Sequence, residues 1–398
     1  MAKYIEDEYD EERPRRKSGS GSGSKNGSGR RPAGRSGSGR GGSGKKSSRK
    51  QQAKKQRRRI ILFVAELVVL VVAVFVLYGV MSGTKSGKMV LDNDEIIIND
   101  KVVQAQETTM KGYRNIALFG VDSTSGALTK NTRSDTIMIA SINQDTGECK
   151  LVSVYRDTYL NLSNDSYNKC NAAYAKGGPE MAISMLNMNL DMNITDFVTV
   201  GFAGLTDTID ALGGVYIDVD DSEISHLNNY QLCIAEDLKR TYTPVSSTGY
   251  QLLDGLQATG YCRIRYTAGD DFKRAERQRE VLAAVADQAK KASLPKLTET
   301  ANSVFNETYT SLDLTEIIEM LGNVGSYYIS DTAGFPQESN RATGTIGSKG
   351  SCVIPMNLED NVKWLHQFLF NDYEYEPSAT VKECSEKIYS DTNGYLKK

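Results

Sequence analysis

Histidine is nearly missing from this chain. Its 398 residues contain two, His226 and His366, and a single tryptophan, Trp364. His366 falls in the amphipathic run "LEDNVKWLHQFLF", where it reads as a surface residue, and His226 in a polar stretch. So few imidazoles give little support to a Ser-His-Asp hydrolase or a histidine-built zinc site. The six cysteines include no Cys-x-x-Cys pair, which argues against a zinc ribbon or a thioredoxin-like centre. Walker A, HExxH and GxGxxG motifs are absent beyond residue 81, and no repeat of 20–50 residues marks a solenoid. Aromatic residues are sparse among the basic residues of the N-terminal region, so there is no stacking platform for bases. No specific nucleic-acid partner is expected.

Charge is unevenly distributed. Residues 1–59 carry 19 Lys/Arg against 6 Asp/Glu, and residues 60–398 carry 29 against 44. Between the two regions lies "IILFVAELVVLVVAVFVLYGVM", Ile60 to Met81, with Glu66 as its one charge. A bilayer core of about 30 Å needs about 20 apolar residues in a helix. The preceding "KKQRRR" places the N-terminal side in the cytoplasm, and no A-x-A-like cleavage site follows. The expected organisation is a disordered basic cytoplasmic tail over 1–59 and a transmembrane signal-anchor over 60–81. A stalk over 82–112, an extracytoplasmic domain over 113–376 and a C-terminal tail over 377–398 follow. The tail's Gly/Ser/Arg/Lys composition cannot bury a core and suits attraction to anionic membrane lipid.

Within the outer region, "NIALFGVD", "DTIMIASIN" and "KLVSVYRD" read as strands, the last two joined by a "QDTGE" turn. "GPEMAISMLNMNL" and "AGLTDTIDAL" have helical spacing, and "DFVTVGF" and "GGVYIDV" read as further strands. Alternating strands and helices predict an α/β domain of three α/β/α layers, and the early hairpin makes its central sheet mixed.

The chemistry concentrates in "YCRIRYTAGDDFKRAERQR", residues 261–279. Taken as a strand, "GYCRIRY" puts Arg263 and Arg265 on one face. Asp270 or Asp271 can cap the helix that follows. On that helix Arg274 and Gln278 align with Val281, Leu282, Val285 and Ala289, which points them inward at its N-terminal end. Guanidinium forks match phosphate oxygens, so convergent arginines suit a pyrophosphate. Asp122 and Asp135, which end or begin strands, are the candidate Mg²⁺ carboxylates, because Mg²⁺ needs only one or two beside water and phosphate. Arg133 accompanies Asp135, Arg156 and Asp157 end a third strand, and Lys169 follows.

Seven segments in order, "LFGVDS", "RSDTIMIASI", "SVYRDTYL", "KCNAAYAKGG", "FAGLTDTIDALGGVYIDV", "LLDGLQATGYCRIRY" and "GDDFKRAERQR", resemble the LytR-CpsA-Psr family of cell-wall glycopolymer ligases. The resemblance covers Tyr113 to Lys290 and continues more weakly to Pro377. It implies a Mg²⁺-assisted phosphotransferase that moves a glycopolymer phosphate, of teichoic-acid or capsule type, from a polyprenyl-pyrophosphate carrier to a peptidoglycan hydroxyl. It also implies an apolar tunnel for the lipid. By that resemblance Arg156, Asp157, Arg263 and Arg265 are catalytic. Arg133, Lys169, Asp271, Arg274 and Gln278 bind substrate, and Asp122 and Asp135 serve the metal. A polyprenyl-pyrophosphate hydrolase, or a non-catalytic receptor for lipid-linked sugar, is the alternative. The chain departs from the family in having Tyr155 before Arg156, where proline is more familiar, and cysteine at 170 and 262. Since Cys170 neighbours Lys169 and Cys262 neighbours Arg263, shared contact with one pyrophosphate would bring the two cysteines together. A Cys170–Cys262 disulfide is therefore expected, with two buried free thiols as the alternative and Cys233–Cys352 as a second pairing. The topology is testable: protease added to intact protoplasts should remove the domain beyond residue 81 and leave the tail. Protection of the domain would contradict the orientation.

Overall fold

In the computed structural model, residues 87–91, 95–122, 128–129, 131–265 and 269–394 are described. The expected tail, 1–59, and span, 60–81, lie outside them. Among the described residues no helix is long and apolar enough to cross a membrane.

The centre is a mixed sheet of seven strands. Strand β2 (Tyr113–Val121) pairs antiparallel with β3 (Ser134–Asn143), which turns into β4 (Glu148–Val154). The turn depends on Gly147, whose φ is +75° and whose missing side chain leaves room for the Ser326 backbone. On one flank β7 (Asp196–Val200) runs parallel to β2, followed by β10 (Thr308–Thr310) and β1 (Gly87–Lys88). On the other flank β11 (Tyr328–Phe335) runs parallel to β4.

Strand alternation sends successive residues to opposite faces. Phe119, Ile137, Ile139, Val152 and Phe197 enter the larger core. Above them lie helices α2 (Asn171–Leu190), α9 (Leu358–Phe370) and α10 (Ala379–Thr392). Leu118, Ala140, Ile142 and Leu151 face the other way, toward Leu282 of α6 (Asp270–Lys291). Helices therefore cover both faces of the sheet. Helix α1 (Asp100–Ala105) and the linking helices α3 (Phe202–Leu212), α4 (Asp221–Leu238), α5 (Gly255–Tyr261), α7 (Leu294–Val304) and α8 (Leu314–Gly322) complete the set among the described residues. Short pairs β5–β6 (Tyr159–Asn161, Tyr167–Lys169), β8–β9 (Val215–Val219, Gly249–Leu253) and β12–β13 (Arg341–Thr345, Ser351–Pro355) lie outside the main sheet.

Several expectations are corrected. "GYCRIRY" is not a strand: its first residues close α5, and Cys262 to Arg265 follow irregularly. The cause is a capping box in which Asp254 accepts from the Gln257 backbone while the Gln257 side chain accepts from the Asp254 N–H. "EIIIND" forms no strand, and residues 95–112 are not a free stalk. Ile96, Val102 and Met110 are buried in the main core, and the Asn99 amide bonds Asp191 and the Met188 carbonyl. The segment expected as a C-terminal tail contributes α10, whose Val381, Cys384 and Ile388 are buried. Its cap residue Ser378 donates its N–H to Asp191 at 2.8 Å. His366 is buried, stacked on Tyr375, with Nε2 against the Leu190 carbonyl. Burial holds its pKa down at about 4.

All six cysteines are free thiols. Cys170 donates to the carbonyls of Tyr155 and Arg156, each at 3.2 Å, inside the main core. Cys262 sits in a separate apolar cluster with Ile209, Tyr261 and Ile264. The two flank one charged site from different cores, so the expected bridge is absent. The Cys233–Cys352 pairing is absent too, with Cys233 exposed on α4 and Cys352 buried. Burial pushes the Cys149 thiol up to about 11 and the Cys262 thiol up to about 12, which suppresses the reactive thiolate. A thiol reagent without reductant should therefore modify Cys233 alone in the native protein and all six cysteines in denaturant. Fewer than six would reveal a disulfide.

Candidate functional site

The charged residues gather where β3, β4, the segment after α5 and the start of α6 meet. Asp135, near the start of β3, is the centre. Arg156 Nη1 reaches its Oδ1 at 2.9 Å, and Arg265 Nη2 reaches its Oδ2 at 3.1 Å. Arg274 donates to the Asp135 backbone carbonyl at 3.4 Å. Asp271 is a second hub, with Arg274 at 3.2 Å and Arg156 and Arg265 at 3.7 Å. Asp157 bridges Lys169 Nζ at 3.3 Å and Arg156 Nε at 3.7 Å. Arg263 stands apart, its guanidinium 4.4 Å from the Phe202 ring centroid and 4.0 Å from Asp122. Gln278 donates to the Cys262 carbonyl at 3.4 Å. The structure thus brings together all the expected site residues except Arg133, which is exposed and makes no ion pair among the described residues.

Electrostatics explain why these arginines want an anion. Burial pushes Arg274 down to about 10, and its like-charged neighbours Arg156 and Arg265 add to the effect. Burial also works against ionisation of Asp135, but Arg156, Arg274 and Arg265 outweigh it and hold the carboxyl below its ordinary range. The cluster opens onto a cavity of about 390 Å³. Leu118, Met138 and Val198 of the sheet form one wall, and Leu205, Val281 and Val285 of the helices form another. Asp122, Asp135, Arg263, Arg265 and Arg274 stand on the same cavity. An apolar pocket with a cationic rim can hold an amphiphile whose head is an anion.

Sequence reasoning missed the residues that hold this rim in place. Arg277, almost fully buried, pairs with Glu223 at 2.7 Å and donates to the Ile264 carbonyl at 3.2 Å. It thereby fixes the segment that carries Arg263 and Arg265. Its position three after Arg274 was the available signal. Phe202 and Tyr230, which face the Arg263 guanidinium, had none. Tyr155 lies edge-on to Phe272 at 4.6 Å, accepts from Arg341 at 2.9 Å and fills the space beside Gly334. An aromatic packing contact thus stands before Arg156 where the family more familiarly has proline.

Fold and site together define an α/β protein with an arginine-rimmed apolar cavity. The pattern of the LytR_cpsA_psr family matches residues 74–346, and the chain belongs to that family. It is 30% identical over 217 residues to the "Polyisoprenyl-teichoic acid--peptidoglycan teichoic acid transferase TagU" of Oceanobacillus iheyensis, covering 52% of this chain and 62% of that relative. It is 27% identical over 304 residues to "Biofilm regulatory protein A" of Streptococcus mutans, covering 68% and 72%. Among solved structures, "TagT bound to LIIa-WTA" superposes with a TM-score of 0.52 at 23% identity, covering 67% of this chain and 93% of that one. That last likeness establishes the shared fold.

The Asp135 clamp predicts a signed pH effect. Its folded pKa is lowered, so its contribution to stability is present above the ordinary carboxylate range and is lost as pH falls through the folded value. Asp135→Asn should cost about 1–3 kcal/mol at neutral pH, and the gap in urea unfolding should close in acid. A gap that stays constant into acid would contradict the clamp.

Proposed function

We propose that this protein is a membrane-anchored phosphotransferase, with its N-terminus cytoplasmic and its folded domain extracytoplasmic. It moves a glycopolymer phosphate from a polyprenyl-pyrophosphate carrier to a peptidoglycan hydroxyl. The observation that carries the reading is the convergence of Arg156, Arg265 and Arg274 on Asp135 at the rim of an apolar cavity. The printed name of the TagU relative supports the reaction class.

In this reading the polyprenyl chain lies between the sheet and helices α3 and α6, and the pyrophosphate lies across the arginines. Arg274, disfavoured as a buried cation among cations, gains most from the incoming anion. The acceptor hydroxyl attacks the sugar-bearing phosphorus and gives up its proton, the bond from that phosphorus to the bridging oxygen breaks, and polyprenyl phosphate leaves with its oxygen free to take the proton up. Preorganised guanidinium groups stabilise the charge that develops on the phosphoryl oxygens. Lys169 and Asp157 hold Arg156 from behind.

The carboxylates at the rim fit a sparse Mg²⁺ set. Asp122 is half exposed and among the described residues its carboxylate has only the long contact to Arg263, so it is the more available ligand. Both oxygens of Asp135 already receive arginines. When bound, the ion would neutralise charge on the pyrophosphate. The residues themselves bind and orient the head group.

Removing one charged hydrogen-bond donor costs about 1.5–3 kcal/mol, or roughly 10–150-fold in binding. Arg263→Ala and Arg265→Ala should each weaken binding of a polyprenyl-pyrophosphate by that factor with the fold kept. Both should also depress transfer of labelled glycopolymer to peptidoglycan fragments. Asp122→Ala should reduce the stimulation by Mg²⁺ while lipid still binds. Normal transfer by the Arg265 variant would overturn the assignment, and release of free glycopolymer phosphate with no acceptor product would favour a hydrolase.

A further inference from the structure

A second cavity, of about 510 Å³, lies along a different face of α6. Lys273, Glu280, Ala284, Asp287 and Lys291 form one stripe at helical spacing on that face. The opposite wall is the antiparallel β8–β9 pair. Its inward residues, Val215, Ile217, Val219 and Leu253, are buried. Its outward face presents Tyr216 and Tyr250, which are 42% and 72% exposed. Their rings stack at 5.3 Å with 21° between planes. The core does not require these two rings, since they face solvent, and neither belongs to the arginine site.

We propose that this groove binds a neutral oligosaccharide. Exposed aromatic faces, with their negative quadrupole, attract the C–H edges of pyranose rings. Around them stand groups that serve hydroxyls in both senses: carboxylates such as Asp218, opposite Tyr250 in the strand register, accept, and the Lys273 and Lys291 ammonium groups donate. The balance of charge selects the sugar. Asp218, Asp220 and Glu280 outnumber Lys291, while Glu223 is matched by Arg277, Asp287 by Lys290 and Lys273 by Glu276. A phosphate-rich polymer is therefore repelled here, although it suits the arginine rim. A cationic peptide is disfavoured as well, because the Lys291 ammonium already stands 5.9 Å from the Tyr216 ring centroid.

The groove and the first cavity are lined by chain neighbours on the same elements. Tyr261 lines the groove and Cys262 and Arg263 line the cavity, while Lys273 in the groove adjoins Arg274 in the cavity. The lining runs from Lys273 to Lys291, about 27 Å at 1.5 Å per residue. A glycan chain lying there would bring one end beside the arginines. Its role as the acceptor glycan rests on the proposed transfer, whereas the binding itself does not.

The test uses the full-length chain in detergent micelles, with the N-acetylglucosamine tetramer as probe, read by saturation-transfer NMR. The sugar should bind, inorganic pyrophosphate should not displace it, and Tyr216→Ala and Tyr250→Ala should each weaken it about tenfold. Tyr250→Phe should retain binding, and unchanged thermal unfolding should show that the variants are folded. Absence of sugar binding would overturn the inference. So would native-level affinity in both alanine variants, or a lysine-rich peptide that binds through the tyrosines while the sugar does not. Tyrosine-dependent sugar binding without any transfer would sink the proposed reaction and leave the groove standing. Transfer without tyrosine-dependent sugar binding would do the reverse.

Discussion

The site rests on one carboxylate. Asp135 receives side-chain bonds from Arg156 and Arg265 and lends its backbone carbonyl to Arg274. Three cations from three separate regions of the chain would repel one another without it. Their convergence also sets the relation between β3, the chain just after β4, the segment after α5 and α6, because Asp135 comes from the first and Arg156, Arg265 and Arg274 from the other three. A layer deeper, the buried Arg277–Glu223 pair has the same role, tying α6 to α4 and, through the Ile264 carbonyl, to the segment bearing Arg263 and Arg265. Breaking such a buried pair strands a charge, at a cost of about 3–5 kcal/mol. The geometry of the rim thus depends on residues that never meet a ligand.

Beneath the rim, the sheet explains the pocket. Its two faces are covered unequally. One packs against α2, α9 and α10 in a continuous core. The other meets α6 around Leu282 and leaves space further along, toward α3. Small residues help create that space: Gly120 and Gly201 line the cavity among larger apolar side chains. Charge at the rim and apolar surface below it meet on one helix, α6, whose early turns present Arg274 and Gln278 and whose later turns present Val281, Leu282 and Val285 on the same face.

Much of this was legible in the sequence. Apolar runs and the "QDTGE" turn revealed β2, β3 and β4 and the hairpin between the last two, and helical spacing alone pointed Arg274 and Gln278 inward. Charge at strand ends singled out Arg156, Asp122 and Asp135, and the family resemblance then gave them roles. Other features were hidden for physical reasons. Strands β1 and β10 are two and three residues long, too short to carry a period. Strand β11 lies at a sheet edge and is largely exposed, so it lacks an apolar signature. The run Cys262–Arg265 mimics a strand because so short an alternation cannot distinguish a strand from the irregular end of a capped helix. His366 and the segment 95–112 look polar or linear in sequence, yet tertiary hydrogen bonds to Leu190 and Asp191 draw them into the core. The disulfide inference failed because proximity to a common ligand does not set the direction of a side chain, and the two thiols point into different cores.

Lipid retained through purification bears most directly on the central claim that the arginine rim and the apolar cavity form one amphiphile site. The full-length protein, extracted gently and analysed by mass spectrometry of its bound lipid, should carry a polyprenyl phosphate or pyrophosphate. A variant with Arg156, Arg265 and Arg274 all changed to glutamine should lose it while staying folded. Retention of the same lipid by that variant, or its absence from the native protein even after exposure to polyprenyl-pyrophosphate, would contradict the account.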